Sequence, residues 1–236
     1  MAMATLGAVD PQALGPGEGL AWMGPEGRPL QGGDARRVSP MGSLAKLVWL
    51  RLEGERWGAA GVRYRCTGTR DGHACWLREG HGDLDLTGAL RESCNLAFLA
   101  WASPTLASAE RNDAQRARVE AAFAPFRSRP TPGVLPPLGP DWVGDGPGLQ
   151  TSPEAFLQWL TAPAQAGLRD QLARLLGQDS GAWLKTGTAP VPGRPGVTAA
   201  WVAGWTGTTY GVLRLPEGRG KVEGLARWRA LLMERP

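Results

Sequence analysis

The chain has 236 residues, of which 42% are apolar and 11 are Trp, and its formal net charge is +4. This length and apolar content support a large folded domain, and they exclude disorder, collagen and a coiled coil. The basic residues are scattered, which argues against a nucleic-acid-binding protein. No apolar run reaches the ~18–20 residues that a membrane span needs.

The first elements are short. Residues 1–19 are expected to form a flexible leader, and they lack the basic start and apolar core of a signal peptide. Two short strands are predicted within residues 20–31, around a Gly-Pro-Glu-Gly turn. A largely buried helix is predicted for about residues 42–53. The Gly-rich residues 58–83 are predicted to form an irregular loop.

Helices dominate the middle of the chain in this prediction. Apolar periodicity and capping residues place them at 85–103, with a tight corner at Glu92–Asn95, and at 105–126, 151–160 and 164–177. Residues 127–150 are dense in Pro and Gly, which predicts a long loop. Three strand-like runs at 181–189, 198–207 and 208–216 predict an antiparallel meander, and a last helix is predicted over about 219–234.

This order of elements predicts an α/β fold in the broad, α+β sense, with an antiparallel sheet built from both ends of the chain. The sheet and its flanking terminal helices are expected within about residues 20–57 and 180–236. An all-α lobe is expected to be inserted between them, over about 58–179. Residues 20–236 are therefore interpreted as one domain.

Three short motifs carry polar residues of a catalytic type. Ser43-Leu-Ala-Lys46 begins the first buried helix, Ser93-Cys94-Asn95 lies at the corner between two helices, and Lys185-Thr186-Gly187-Thr188 lies on the first strand of the meander. Each motif alone is a weak signal. In a purely structural interpretation, its residues only cap helices or carry surface charge. All three in this order, each on the expected type of element, favour a catalytic site.

The chemistry of such a site follows from the residue types. Residues three apart share one face of a helix, so Lys46 is expected to lie beside Ser43. A serine hydroxyl needs a base, and a desolvated lysine has its pKa lowered enough to serve as one. Ser93 and Asn95 would add a proton shuttle and an amide for the substrate backbone. Lys185 would attract a substrate carboxylate.

With these motifs, about residues 20–235 resemble the serine penicillin-recognising acyltransferases. This group includes the D-Ala-D-Ala transpeptidases and carboxypeptidases (penicillin-binding proteins) and the serine β-lactamases. One stretch, Cys66…Cys75-Trp76…Gly80-His81-Gly82…Asp85…Ser93-Cys94-Asn95, resembles bifunctional and elongation-type penicillin-binding transpeptidases. Another, Asp141-Trp142…Gly146-Pro147-Gly148…Ser152-Pro153-Glu154…Phe156-Leu157, resembles class D β-lactamases and β-lactam sensor domains.

The resemblance implies a β-lactamase/transpeptidase-like fold and a serine acyltransferase that reacts with peptidoglycan stem peptides ending in D-Ala-D-Ala and with β-lactams. It implies no cofactor. It also implies a periplasmic or other extracytoplasmic location, since the substrate lies there. The roles that it implies are a nucleophile (Ser43), its base (Lys46), a proton relay (Ser93) and a ligand of the acyl-side amide (Asn95). Lys185, Thr186 and Thr188 would bind the terminal carboxylate, and Gly187 belongs to the same substrate-binding motif. The backbone N–H groups of Ser43 and Thr188 would form the oxyanion hole, and Trp142 would lie at the mouth of the site. Packing of a Pro-rich loop is the alternative role for Trp142.

Two other functions stay open at this point, a class D-like β-lactamase and a β-lactam sensor without turnover. The chain departs from the class D pattern at Asn95, where those enzymes carry an apolar residue, and it lacks their Tyr-Gly-Asn motif at roughly residues 127–133. Because the Asn95 carbonyl can accept a hydrogen bond from an ammonium group, Lys46 is expected to be a free amine. In class D enzymes the equivalent lysine carries a carbamate that activates water.

Cysteine and histidine give no metal site in this interpretation. Three Cys are too few for a disulfide scaffold, although Cys66 and Cys75 are candidates to close a short loop in an oxidising compartment. No Cys-x-x-Cys pair occurs, and His73 and His81 lie in the Gly-rich stretch, where they are interpreted as loop residues. Cys94 is interpreted as a buried, inert thiol.

Overall fold

The structure is a computed structural model of the chain and describes residues 10–127, 139–177, 182–206 and 209–232. Within these residues, the helices are α1 (Ala45–Ala59), α2 (Leu86–Arg91), α3 (Asn95–Arg111), α4 (Asp113–Phe123), α5 (Pro153–Thr161), α6 (Ala166–Leu176) and α7 (Leu225–Leu232). The strands are β1 (Gly19–Met23), β2 (Pro29–Gly33), β3 (Ser39–Pro40), β4 (Arg63–Cys66), β5 (Thr69–Arg70), β6 (His73–Ala74), β7 (Gly82–Asp85), β8 (Gln150–Thr151), β9 (Trp183–Pro190), β10 (Thr198–Trp205) and β11 (Tyr210–Leu215). The expected α+β class is confirmed.

The chain divides into two compact units. One consists of residues 1–41 with 151–236 and is called the sheet unit below, and the other consists of residues 42–150 and is called the helical unit. The sequence placed these boundaries near residues 57 and 180. The observed boundaries differ from the predicted ones because α1 packs with α3 and α4, whereas α5 packs on β1 and β11.

The sheet unit contains five antiparallel strands in the order β2-β1-β11-β10-β9. The predicted meander is present as β9, β10 and β11, and the predicted N-terminal hairpin adds β1 and β2. Strands β10 and β11 lie inside the sheet and are buried over most of their length, which accounts for their apolar composition.

Helices cover this sheet. Trp228 of α7 packs in a core with Leu20, Val202 and Leu213 from three neighbouring strands, and α5 packs on β1 and β11. The predicted start of α5 is confirmed: the Ser152 Oγ accepts a hydrogen bond from the Ala155 N–H at 3.2 Å, and a proline occupies the first helical position.

The helical unit is built around aromatic side chains. Trp49 of α1 stacks on Trp57, which lies eight residues further along the same helix. Trp57 in turn contacts Phe98 and Trp101 of α3. The helix α1 is buried around most of its circumference, so its sequence shows a nearly continuous apolar run instead of a periodic one. These contacts hold the C-terminal part of α1 against the first part of α3.

The segment predicted as irregular loop is partly regular. Strand β4 pairs with β7, and β5 pairs with β6, each pair antiparallel. The prediction of a loop was wrong here because few side chains of this segment pack against a core: between residues 61 and 85, only Cys66, Gly68, Cys75 and Leu84 are buried. An apolar alternation that would indicate strands is therefore missing from the sequence.

Two further expectations concern residues at the edges of the described parts. Pro11–Ala13 form a single 3-10 turn within the expected leader, while residues 1–9 lie outside the described residues, as does most of the 127–133 stretch.

Among the helices of the described residues, none combines the length and the apolar character that crossing a membrane requires.

Candidate active site

Ser43 lies in a 3-10 turn, Gly42–Leu44, that leads directly into α1. The turn is packed closely against a second loop: a Cβ atom at Gly144 would collide with the carbonyl of Gly42, and Gly144 has a φ of +81°. Only glycine tolerates both the positive φ and the close approach. The backbone before Ser43 is therefore fixed by the loop at residues 139–148.

Lys46 lies in the first turn of α1 and is fully buried. Its Nζ is 2.9 Å from the Ser43 Oγ, 2.7 Å from the Asn95 Oδ1 and 3.0 Å from the Val143 carbonyl oxygen. The sequence predicted the contact with Ser43 from the three-residue spacing, and the structure brings Ser43, Lys46 and Asn95 together.

Burial changes the acid–base properties of this amine. Removal from water lowers the pKa of Lys46 to about 8, although the negative charge of Asp145 opposes the shift. A pKa of about 8 leaves roughly one fifth of the amine neutral at pH 7.4. A neutral amine has two N–H donors and one lone pair, so it can donate to the Asn95 and Val143 oxygens and accept the proton of Ser43.

Ser93 follows the C-cap of α2 and has a strained backbone conformation. The Ser93 N–H bonds to the Leu90 carbonyl at 3.3 Å and the Cys94 N–H to the Ala89 carbonyl at 3.0 Å, which together form a Schellman motif. The residue in the left-handed position of this motif is usually glycine, whereas Ser93 occupies it here with a φ of +54°. Such strain costs about 1–3 kcal/mol and is concentrated at functional sites.

Asn95 is oriented by a residue that the sequence analysis did not identify. Its Nδ2 donates to the Asp145 Oδ2 at 3.1 Å, which directs Oδ1 toward the Lys46 amine. Asp145 follows Gly144 in the loop that carries the Val143 carbonyl. An acidic residue between glycines was the only signal for it in the sequence, and nothing local connects it to Asn95, fifty residues earlier.

Of the two roles that the sequence left open for Trp142, its burial favours packing. Its indole is 2% exposed and packs against Trp49 and Phe123, with ring centroids 5.8 and 5.0 Å away. The Trp142 carbonyl accepts a hydrogen bond from the Trp49 Nε1 at 2.7 Å. We therefore assign Trp142 to the core of the helical unit, where it anchors the loop that presents the adjacent Val143 carbonyl to Lys46.

The third motif lies in the sheet unit, on β9. Lys185 is 1% exposed, and its Nζ donates to the Thr186 carbonyl at 2.6 Å. Thr188 is exposed, and its Oγ1 accepts a hydrogen bond from the Gly220 N–H at 3.0 Å. Gly220 packs directly on the backbone of Gly187, where a Cβ would collide with it.

The cysteines behave differently from the expectation. Cys66, Cys75 and Cys94 are all free thiols, so the Cys66–Cys75 disulfide that the sequence permits is not formed. Their sulfur atoms and a ring nitrogen of His81 lie within 4.8 Å of one another. The expectation of no metal site rested on sequence spacing alone, and this convergence removes that reason.

No protein-family model matches the chain, and the search of curated protein sequences gives no match. Solved structures share its fold. Penicillin-binding protein PonA1 from Mycobacterium tuberculosis is 16% identical over 86% of this chain and 69% of that chain, with a TM-score of 0.58. Class D β-lactamase BAT-2 is 15% identical over 96% and 100% of the two chains, with a TM-score of 0.58.

A third similar structure is the C-terminal domain of the Bacillus licheniformis BlaR penicillin-receptor, which is 15% identical over 83% of this chain and 80% of that chain, with a TM-score of 0.53. At these identities the likeness concerns the fold. The expected penicillin-recognising serine acyltransferase fold is confirmed, and a penicillin-binding protein, a class D β-lactamase and a penicillin-receptor domain all share it.

Proposed function

We propose that this chain is a serine acyltransferase of the D-Ala-D-Ala peptidase or transpeptidase type, which forms an acyl-enzyme at Ser43 with peptidoglycan stem peptides and with β-lactams. The observation that supports it best is the 2.9 Å contact between the Ser43 Oγ and the amine of a fully buried Lys46. A serine at the start of a helix is activated as a nucleophile when a buried amine with a lowered pKa lies beside it as its base.

In the proposed first step, the neutral Lys46 amine takes the Ser43 proton while Oγ attacks the carbonyl carbon of the penultimate D-alanine. The amide C–N bond then breaks, an ester forms at Ser43, and the terminal D-alanine leaves with a proton supplied by Lys46 through Ser93. The free N–H groups at the start of α1 favour the negative charge that develops on the carbonyl oxygen. A β-lactam would react in the same way, its ring amide opening instead.

The motif on β9 would recognise the substrate. In the described sheet, β9 is an edge strand, whose unpaired backbone groups can bond to an extended peptide. Gly187, packed against Gly220, keeps side chains away from this backbone. We assign Lys185, Thr186 and Thr188 to the terminal carboxylate that stem peptides and β-lactams have in common, because this motif supplies a cation and two hydroxyl groups.

The surroundings of Lys46 favour a slow second step. The amine faces the carbonyl oxygens of Asn95 and Val143, and the Asp145 carboxylate acts on it electrostatically. A carbamate at this position would bring a negative charge toward three oxygen atoms, so the amine is expected to stay uncarboxylated. Without a carbamate to activate water, the penicillin ester should persist, as expected for a penicillin-binding protein or a β-lactam sensor and not for a class D-like β-lactamase.

The experiment that tests this proposal is intact-mass measurement of the protein during incubation with benzylpenicillin over several hours. We expect a stable increase by the mass of one penicillin. Rapid return to the free mass with consumption of penicillin would identify a β-lactamase instead. The absence of any adduct would contradict the acyltransferase proposal. Release of D-alanine from a synthetic stem peptide then distinguishes a peptidase from a sensor.

The proposed substrate has a consequence for location. Stem peptides are cross-linked outside the cytoplasmic membrane, so we propose an extracytoplasmic site of action. Fractionation of cells that carry a tagged copy tests this, and a signal confined to the cytoplasm would contradict it.

A further inference from the structure

A second group of reactive side chains lies beside the candidate active site. Cys66 ends β4, Cys75 follows β6, His81 precedes β7, and Cys94 is the N-cap residue of α3. The three cysteines are buried, and the four donor atoms lie within 4.8 Å of one another. We name these four residues the thiol cluster. Three separate turns of the chain thus converge on one point.

Two distances within the thiol cluster match the edges of a tetrahedral metal site. A zinc ion with Zn–S bonds of about 2.3 Å and Zn–N bonds of about 2.0–2.1 Å has tetrahedral edges of about 3.8 Å between sulfurs and about 3.5 Å between sulfur and nitrogen. The Cys75 Sγ is 3.9 Å from the Cys94 Sγ and 3.5 Å from the His81 Nδ1. A disulfide, in contrast, needs two sulfurs about 2.05 Å apart and would leave the third cysteine unused.

The surroundings of the sulfurs suit thiolate ligands. Backbone N–H groups of Leu77 and Asn95 donate to the Cys75 sulfur, and the Ala97 N–H donates to the Cys94 sulfur. The free N–H groups at the start of the seventeen-residue α3 favour negative charge at the same place. Three buried thiolates would repel one another, and a divalent cation at their centre removes this repulsion.

We propose that Cys66, Cys75, His81 and Cys94 bind one zinc ion in a closed, structural Cys₃His site. Three thiolates and one imidazole form a soft donor set that selects zinc over magnesium or calcium. With four protein ligands the site has no open position, so its role is structural and not catalytic. Zn²⁺ binding forms three Zn–S bonds and one Zn–N bond and releases the protons of those thiols that are still protonated.

The proposal also explains how the segment from β4 to β7 is held. Besides two of the cysteines, Leu84 is the only buried apolar side chain between residues 61 and 85. A segment that buries so little apolar surface gains little stability from packing, and small structures of this kind commonly rely on a metal or on disulfides. A zinc ion would fasten both ends of the segment to the start of α3.

The position of α3 connects the thiol cluster with the candidate active site. Cys94 and Asn95 are adjacent in the chain, and the Asn95 N–H donates to the Cys75 sulfur while its side chain accepts from Lys46. We infer that zinc positions the Asn95 backbone and through it the amide that contacts the Lys46 amine. This second part rests on the proposed function, whereas the zinc site itself does not.

Metal analysis tests the zinc site directly. Protein stripped with a chelator under reducing conditions and then dialysed against zinc chloride should retain about one zinc ion per chain. Replacement of zinc by cobalt should produce thiolate-to-cobalt charge-transfer absorption, which requires no variant. His81→Ala should weaken zinc binding at least about 100-fold, and His73→Ala, the other histidine of the same segment, should leave it unchanged.

The possible outcomes distinguish a zinc site from an empty cluster and from a disulfide. Fully reduced wild-type protein that retains no zinc and gives no cobalt absorption would overturn the proposal, and so would equal zinc binding by the His81 and His73 variants. Titration with a thiol reagent adds an independent reading: three thiols should be protected by zinc and become reactive after chelation. Two missing thiols in freshly isolated, metal-free protein would establish a disulfide in place of the site.

A second measurement tests the positioning role. Removal of zinc should slow acylation by a fluorescent penicillin about tenfold or more, the scale found when groups around a site are displaced, and zinc chloride should restore the rate. An unchanged rate after complete removal would overturn the positioning role and leave the zinc site standing. If no penicillin reacts in either form, the proposed function fails, while the zinc measurements remain decisive for the metal site.

Discussion

Two polar clusters meet at the start of α3, and they are built on opposite principles. In the cluster around Lys46, the cation belongs to the chain, and oxygen atoms of Ser43, Asn95 and Val143 surround it. The thiol cluster consists only of atoms that donate electron pairs to a metal ion. The neighbouring residues Cys94 and Asn95 face one cluster each, so a single helix start serves both.

The comparison shows why the Lys46 cluster can be recognised in the sequence and the thiol cluster cannot. The Lys46 cluster contains short motifs whose residues are three positions or fewer apart, and such motifs can be recognised in a sequence. The ligands of the thiol cluster are separated by 8, 5 and 12 residues, and the loops between them follow no common metal-binding spacing. Loop length costs little entropy when a metal closes it, so irregular spacing is no obstacle to the site itself.

The largest expected effect separates the clusters completely. Ser43→Ala should abolish the penicillin adduct in intact-mass spectra, because no other group is expected to be acylated. The zinc content of the Ser43→Ala variant should equal that of the wild type. Ser108→Ala, on α3 but outside both clusters, is the matched control and should acylate normally. An adduct that persists in Ser43→Ala would show that the nucleophile lies elsewhere.

Lys46→Met should slow acylation by about 10²–10⁴-fold, the usual contribution of a positioned general base. It should also change the pH dependence of stability. The folded-state pKa of Lys46 is lowered from 10.5 to about 8, so the buried ammonium destabilises the folded state below pH 8, and this cost disappears between pH 8 and 10.5. Urea unfolding should show that the wild type gains up to about 3 kcal/mol over this interval relative to the variant. Parallel pH profiles would contradict the lowered pKa.

Lys185→Met should slow acylation by about 10- to 100-fold, which corresponds to about 1.4–2.7 kcal/mol of lost charge-assisted binding. Met keeps the apolar stem that the 1% exposed side chain buries, so a change in folding should not obscure the kinetic effect. Lys221→Met, at an exposed position in the same unit, is the control. Equal acylation rates for both variants would show that the carboxylate is bound by other groups.

The acylation rate of the wild type should rise about tenfold from pH 7 to pH 9, because the neutral fraction of an amine with a pKa of about 8 rises by that factor. Stopped-flow measurement with a chromogenic β-lactam gives this profile. A flat profile over the interval would mean that Lys46 is not the base. Zinc content should stay at about one ion per chain throughout, which confines the pH effect to the Lys46 cluster.

The smallest expected effect is none. Added bicarbonate should leave penicillin turnover unchanged, because the carbonyl and carboxylate oxygens around Lys46 disfavour a carbamate. Carbon-13 NMR with labelled bicarbonate should show no carbamate signal. A rise in turnover that depends on bicarbonate and vanishes in Lys46→Met would indicate that the protein is a class D-like β-lactamase.

Much of the fold could be predicted because its signals are local. The cap at Ser152, the proline after it and the three strand-like runs of the meander each depend on a few neighbouring residues, and the structure contains the elements they predict. The segment from β4 to β7 could not be predicted in this way. Its buried side chains are those of two cysteines and a single leucine, and the apolar pattern that identifies strands is therefore absent.

By itself, the sequence determined which residues lie within a few positions of one another: Lys46 one helical turn after Ser43, Ser93 beside Asn95, and the Lys185 motif on a strand. Short-range geometry is set by the backbone, so spacing alone determines it. Only the tertiary structure decided that Asp145 orients Asn95, that Trp142 is buried, and that three cysteines and His81 converge. Those contacts join residues up to about a hundred positions apart, and they arise from packing of the helical unit as a whole, which no local pattern encodes.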